Sequence, residues 1–435
     1  MRKLIVLVGA VLCAAAGWVT DARAQDMPAI KNAPAATLLL PYFEVDLDDA
    51  QGMTTLFSVN NASATATLTH IVLWSDLGVP VFAFNAYLTG YDVQTYNLRD
   101  ILTGTIPRTA SAGQDPTNQI SPKGTFSQDI NFASCSGQLP LPAVPALYTT
   151  YLRSALTGGP SGFHAGQCVA RNLSTPGIAR GYVTVDTVNN CTLRMPGDPG
   201  YFGAGGTGDA TNQNVLWGDY TYINASQDLA YGDALVSVSA SATNPETSVP
   251  GEYTFYGRFT NWTAADNRTP LATNFVTRYV GAKDFKTVEK ARRRPFLPAA
   301  TELVVWRDPK ATAAGFTCGS APAWFPLNQE QIRAFDEQEH IETPTFLAPP
   351  FPGATQKVTV ANASFPLTAG SGFLYLNLNN TVASSPNPPE DPTAAQAWVS
   401  VLQRVQQGPN GGRYDVGYRA IRLDSAQQAS HTLIP

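Results

Sequence analysis

A chain of 435 residues with a formal charge of −5 and only 14% charged side chains offers no broad positive surface for nucleic acid. Its length exceeds what one hydrophobic core usually organises, and past the first residues no stretch approaches the roughly 18 unbroken apolar residues of a membrane helix. Gly, Pro, Ser, Thr, Asn and Ala fill the gaps between aromatic and β-branched runs, which is the composition of a loop-rich all-β protein.

Residues 1–24 read as a secretory leader: Arg2 and Lys3, an apolar run from Leu4 to Val19, and Ala22-Arg23-Ala24 as the cleavage site. Export to the periplasm, the cell surface or the medium is expected. Cys13 follows Leu12 rather than the small residue that lipidation needs, so an acyl anchor is not. Cys135, Cys168, Cys191 and Cys318 remain, and an even count in an exported chain predicts two disulfides. No pair has CxxC spacing and no histidine neighbours another, so zinc is not called for.

The first strand is expected over Thr37 to Phe43, with Pro41 marking it as an edge. Glu44, Asp46, Asp48 and Asp49 follow, closed by Gly52. Asp46 and Asp48 are the only place where the sequence offers a metal site, a structural calcium, but the EF-hand spacing is missing and an acidic solvent-facing turn is the reading preferred. From Thr54 to Leu102 apolar runs alternate with small polar clusters and read as four strands. The central one, THIVLWSD (Thr69 to Asp76), is apolar on both faces and belongs in the middle of a covered sheet. His70 within it is a ligand or a base only if it reaches a site; a hydrogen-bonded core histidine is the commoner case.

Thr103 to Cys135 reads as a surface excursion, followed by a helix from about Ala143 to Leu156 that Gly158 ends. Strands return at GYVTVD (Gly181 to Asp186), Val215 to Ile223 and Ala234 to Ala240. The second half then starts over in the same order. TNFVTRYV from Thr273 matches TTLFSVNN from Thr54, TELVVWRD from Thr301 matches THIVLWSD, IRAFDEQE from Ile332 matches VQTYNLRD from Val93, GFLYLN from Gly372 matches GYVTVD, and Trp398 falls opposite Trp217. The expectation is an internal duplication: two tandem β-sandwich domains, immunoglobulin-like or jelly-roll-like. They would span residues 26–245, with a helix-containing insertion at about 103–180, and 252–435, joined through TNPETSVPG (Thr243 to Gly251). The insertion holds Cys135 and Cys168, which are expected to pair and leave Cys191 to Cys318. Lys283 to Arg294 is a basic run suited to an exposed loop. Near the C-terminus a hairpin around Gly408 to Gly412 is preferred over a helix at Trp398.

Catalytic signals are sparse. The chain has no GxSxG elbow, P-loop, dinucleotide GxGxxG or HExxH, and only His70, His164, His340 and His431 to serve a triad or metal. Two carboxylates suffice for a glycosidase, and Asp336 and Glu339 in FDEQEHIE are the best acids. Trp262 and Trp324, in loop-like sequence, are candidate sugar platforms. The function expected is therefore an exported, non-enzymatic protein that binds a protein or glycan partner or takes part in envelope assembly. The alternative is a carbohydrate-binding module or glycan hydrolase that uses these four residues.

Overall fold

The computed structural model describes residues 33–108, 117, 119, 124–129, 132–139, 141–241, 254–260, 263, 265–281, 299–309, 315–320, 322, 327, 329–379, 395–406, 413–419 and 421–422. The expected leader, the expected linker from Thr243 to Gly251, the Lys283 to Arg294 run and the expected turn from Gly408 to Gly412 lie outside them.

The protein is all-β. Its strands are β1 (Thr37–Asp46), β2 (Met53–Asn61), β3 (Thr67–Ser75), β4 (Pro80–Leu88), β5 (Val93–Asn97), β6 (Ile178–Val188), β7 (Leu216–Trp217), β8 (Asp219–Asn224), β9 (Leu229–Ala234) and β10 (Val236–Val238). They continue with β11 (Asn274–Val280), β12 (Ala299–Arg307), β13 (Gln331–Asp336), β14 (Ile341–Glu342), β15 (Thr355–Thr359), β16 (Ser371–Asn377), β17 (Ala397–Gln406), β18 (Arg413–Arg419) and β19 (Ile421–Arg422). They form antiparallel sheets in the orders β10-β1-β6-β3-β4, β5-β2-β8-β9 with β7 on β2, β15-β12-β17-β18, and β14-β13-β16-β11-β19. One apolar cluster takes side chains from the first two sheets, such as Ile71, Val183, Phe57 and Tyr222, and a second takes them from the last two, such as Val305, Val399, Phe275 and Leu376. A third, with Trp74, Tyr182, Phe255, Trp306 and Trp398, draws on both halves of the chain.

THIVLWSD lies where its two apolar faces require. β3 is paired by β6 on one side and β4 on the other, and all nine of its residues are buried. Pro41 departs from expectation, since β1 is flanked by β10 and β6. It is tolerated because β10 pairs only with Thr37 to Leu39 and the β6 register breaks between Leu40 and Phe43. The true edge at β5 is occupied by side chains: Val93 N–H donates to the Asp92 carboxylate, and the Gln94 amide donates to the Thr95 carbonyl.

Among the described residues two α-helices accompany the strands. The expected one, α2 (Ala146–Thr157), starts after Pro145 rather than at Ala143, because a proline inside the helix would cost a hydrogen bond. Gly158, at φ 79°, ends it. The short α1 (Leu98–Thr103) was not expected. The Asn97 side chain caps it by accepting from Arg99 N–H at 3.1 Å, and Gly104 at φ 112° closes it.

The repeated strings need correction in detail. β16 lies between β13 and β11, in a different sheet from β12, so GFLYLN does not stand where GYVTVD stands beside β3. That place belongs to β17. Across β3 and β6 the partners are Trp74 with Tyr182, Leu73 with Val183 and Val72 with Thr184; across β12 and β17 they are Trp306 with Trp398, Val305 with Val399 and Val304 with Ser400. AWVSV therefore answers GYVTV residue for residue. Trp398 has no relation to Trp217, which is half-exposed on β7. IRAFDEQE likewise fails to match VQTYNLRD in place, since β5 pairs with β2 whereas β13 pairs with β16 and not with β11. TNFVTRYV and TTLFSVNN do share an interior place, β11 and β2 each being flanked by two strands. The hairpin at the C-terminus is present as the β17–β18 pair.

The cysteines form two disulfides, but not with the expected partners. Cys135 joins Cys191, and Cys168 joins Cys318. The expectation treated the insertion as a self-contained excursion. Instead its first part folds down onto β4, with Tyr87 donating to the Gln128 carbonyl, and this brings Cys135 to the chain that leaves β6.

Candidate functional site

The acidic turn after β1 is held from within. Asp46 accepts the backbone N–H groups of Asp48 and Asp49, both at 3.0 Å. The Arg99 guanidinium donates to the carbonyls of Asp46, Ala50, Gly52 and Met53, and Arg153 pairs with Asp48. One of the two carboxylates named for calcium, that of Asp48, is thus met by a guanidinium, and the other, that of Asp46, accepts backbone N–H groups. Among the described residues no three His, Cys, Asp or Glu side chains are grouped to hold a metal.

Asp336 and Glu339 share the tight turn between β13 and β14. Asp336 accepts the backbone N–H groups of His340 and Gln338 at 2.9 and 2.8 Å, and its other oxygen meets His340 Nδ1 at 2.9 Å. The His340 backbone bond and these companions hold its carboxyl below the ordinary range. Glu339 occupies φ 65° at the tip. Asp336 thus has a structural task as the acceptor of its own turn. Trp262 and Trp324 lie outside the described residues. Exposed aromatics occur elsewhere, as Tyr148 packed on Phe163 at 5.2 Å, Tyr91 against Phe126 at 5.1 Å, and Trp217.

Several ionisable groups are fully buried and paired. Asp186 on β6 accepts from Thr37, from Tyr201 OH at 2.7 Å and from Tyr256 OH at 3.1 Å. Arg268 lies 3.6 Å from Asp186 and 3.2 Å from Asp266. Burial pushes the Asp266 carboxyl up in spite of that cation. The strands that carry Trp74 and Trp306 each end on an aspartate that meets an arginine: Asp76 with Arg171 at 2.7 Å, and Asp308 with Arg258 at 3.3 Å. Arg171 also reaches Gln356 and the Thr355 carbonyl, so this contact ties the first half of the chain to the second.

His70 belongs to the core, yet it stands behind an open concavity. Its Nδ1 meets Asn85 Oδ1 at 3.0 Å, and the Asn85 amide exchanges hydrogen bonds with the backbone of Thr192. Burial pushes the imidazole down from the ordinary 6.5, although Asn85, Asp186, Arg194 carbonyl and Asp209 pull the other way. Thr192 lies on the wall of a cleft of about 600 Å³, with Asn190, Leu193, Arg194, Asp198 and Asp209 around it. Asp209, nearly buried, accepts from Thr192 Oγ1 at 2.7 Å and from Arg194 Nη1 at 3.0 Å. Gly200, at φ 86°, lets the chain pass beneath this guanidinium; a Cβ there would lie 3.1 Å from Nη1. The Cys135–Cys191 disulfide fixes the other end of the wall.

The sequence pointed to His70 but not to the cleft in front of it. The stretch between β6 and β7 is dense in Gly and Pro, which marks loops but does not show which of its polar residues are turned inward. No protein-family model matches the chain, and comparison with curated proteins finds no relative.

Proposed function

We propose that the protein is an exported, non-enzymatic β-scaffold that acts by binding, in the cell envelope or outside the cell. The supporting observation is where its polar chemistry is used. Most of the buried charged groups are committed to one another: Asp186 and Asp266 to Arg268, Asp308 to Arg258, and Asp76 to Arg171, while Arg307 is spent on the Leu327 and Leu378 carbonyls. Groups with hydrogen-bonding capacity to spare, Arg194, Asp198 and Asn190, border the open cleft instead, and the nearest histidine, His70, is sealed beneath it. Two disulfides support an oxidising, exported setting.

A panel of chromogenic glycosides and esters tests the non-enzymatic part. No turnover by the disulfide-intact protein is expected. Turnover that disappears in Asp336→Asn or Glu339→Gln would establish the hydrolase instead. The binding part predicts saturable retention on at least one class of molecule in an array of glycans and polypeptides.

A further inference from the structure

The geometry points to a ligand class for the cleft beside Thr192: we propose that it binds a neutral, polyhydroxylated molecule, a saccharide unit. This rests on the binding reading above and narrows it. The cleft is a broad, open concavity rather than an enclosed pocket, so it suits a ligand that keeps one face in water.

Its chemistry is mixed in a way that suits hydroxyl groups. Each sugar hydroxyl both donates and accepts, so a site for vicinal hydroxyls needs donors and acceptors side by side. Arg194 supplies donors. One guanidinium nitrogen is held by Asp209 and its backbone N–H by Thr192 Oγ1, both at 3.0 Å, so the side chain is oriented before any ligand arrives. Asp198 supplies an acceptor: one oxygen takes the Met195 N–H at 2.7 Å, and the other has no partner among the described residues. The Asn190 amide donates to Asn189 and Asp209, which leaves its carbonyl as a second acceptor.

Charge narrows the choice further. Asp209 already pairs with Arg194, and Asp198 adds an exposed carboxylate at the rim, so a phosphate, sulfate or uronate would meet a like charge there. A purely apolar ligand would strip water from these groups without replacing it. One apolar surface is nevertheless presented. Leu193 is 81% exposed although its neighbours are pinned, Cys191 by a disulfide and Thr192 by Asn85. The C–H face of a sugar ring would cover it.

Titration calorimetry on the disulfide-intact protein tests this with neutral oligosaccharides, their sulfated or uronic-acid counterparts, and spermidine. Saturable binding of at least one neutral oligosaccharide is expected, weakened roughly tenfold or more in its acidic counterpart. Asp198→Ala and Leu193→Ser, both at exposed positions, should each weaken it by about the same factor with the fold retained by circular dichroism, and Tyr148→Ala should not. A saccharide held equally well by both cleft variants would place the ligand elsewhere and overturn the cleft assignment while leaving the binding reading intact. No affinity for any neutral saccharide, or a preference for spermidine or a sulfated sugar, would overturn the ligand class. Hydrolysis of a bound saccharide would instead overturn the non-enzymatic reading.

Discussion

Trp74 and Tyr182 face each other across β3 and β6 with their rings stacked at 5.5 Å and an interplanar angle of 3°. Tyr182 in turn meets Trp306 edge-on at 6.0 Å, and Trp306 stacks on Phe255 at 5.6 Å. This run of rings passes from the first half of the chain to the second. Trp74 also donates from its indole to Thr184 Oγ1 at 2.9 Å. Trp74→Ala should therefore cost about 3–5 kcal/mol, since it opens a cavity where both halves meet. Urea unfolding followed by circular dichroism measures the loss; a cost below about 1 kcal/mol would show that the ring run does not join the halves energetically.

Arg268 stands between two buried carboxylates. Burial alone would lower its basicity, but Asp186 and Asp266 outweigh that and hold the guanidinium charged. Arg268→Met should destabilise by about 3–5 kcal/mol, because it leaves buried acids without their cation. Removing one of those acids as well, in Arg268→Met with Asp266→Leu, should recover part of the loss. Equal midpoints for the single and double variants would mean that the charge is not the cause.

His70 gives a pH signature. Its folded value lies below 6.5, so the unfolded chain binds the proton more readily and stability falls as pH drops below about 6.5 towards the folded value. His70→Gln removes this slope. Asp266, raised by burial, slopes the opposite way from about 3.8 upward, so the difference between native protein and His70→Gln is what to compare. Identical pH–stability curves for the two between pH 4 and 7 would refute the assignment.

Peptide mapping without reduction should recover Cys135 with Cys191 and Cys168 with Cys318. Replacing the first pair by serine should cost about 4 kcal/mol on the chain-entropy account of a closed loop of this length. A fragment that joins Cys135 to Cys168 would contradict the fold around the insertion.

How far the sequence could be read depended on whether its signals were local. Strands with strongly apolar runs, β1 and β3, and the helix between Pro145 and Gly158 are set by side-chain pattern, proline and glycine, so they were legible, whereas the segment of β17 carries helix and strand signals alike. Partner choice was not. GFLYLN resembles GYVTVD as a string, but pairing is decided by which strand arrives beside β12, and AWVSV does so in matching register. α1 was missed because its cap, Asn97, is a single residue at the end of an apolar run. The cleft was illegible for a similar reason: Arg194 and Asp209 are ordinary loop residues until Gly200 and the disulfide bring them together. Glu339 and Asp336 stood out as a charge cluster, yet backbone donors take up much of what the cluster offered.

The two covalent loops overlap, and the stretch they have in common, residues 168–191, carries β6. Oxidation in order of proximity along the chain would join Cys168 to Cys191. β6 is about 36 Å of extended backbone, and that shortcut would require its two flanks to turn back and span its whole length between them. The nearest thiol is thus the wrong one for each of them. Native bonding requires either that β6 be seated between its neighbours before the thiols react, or that an exchange catalyst undo the early product. Where the thiols react before β6 is seated, an oxidising compartment without such a catalyst would turn out isomers of correct mass and wrong pairing.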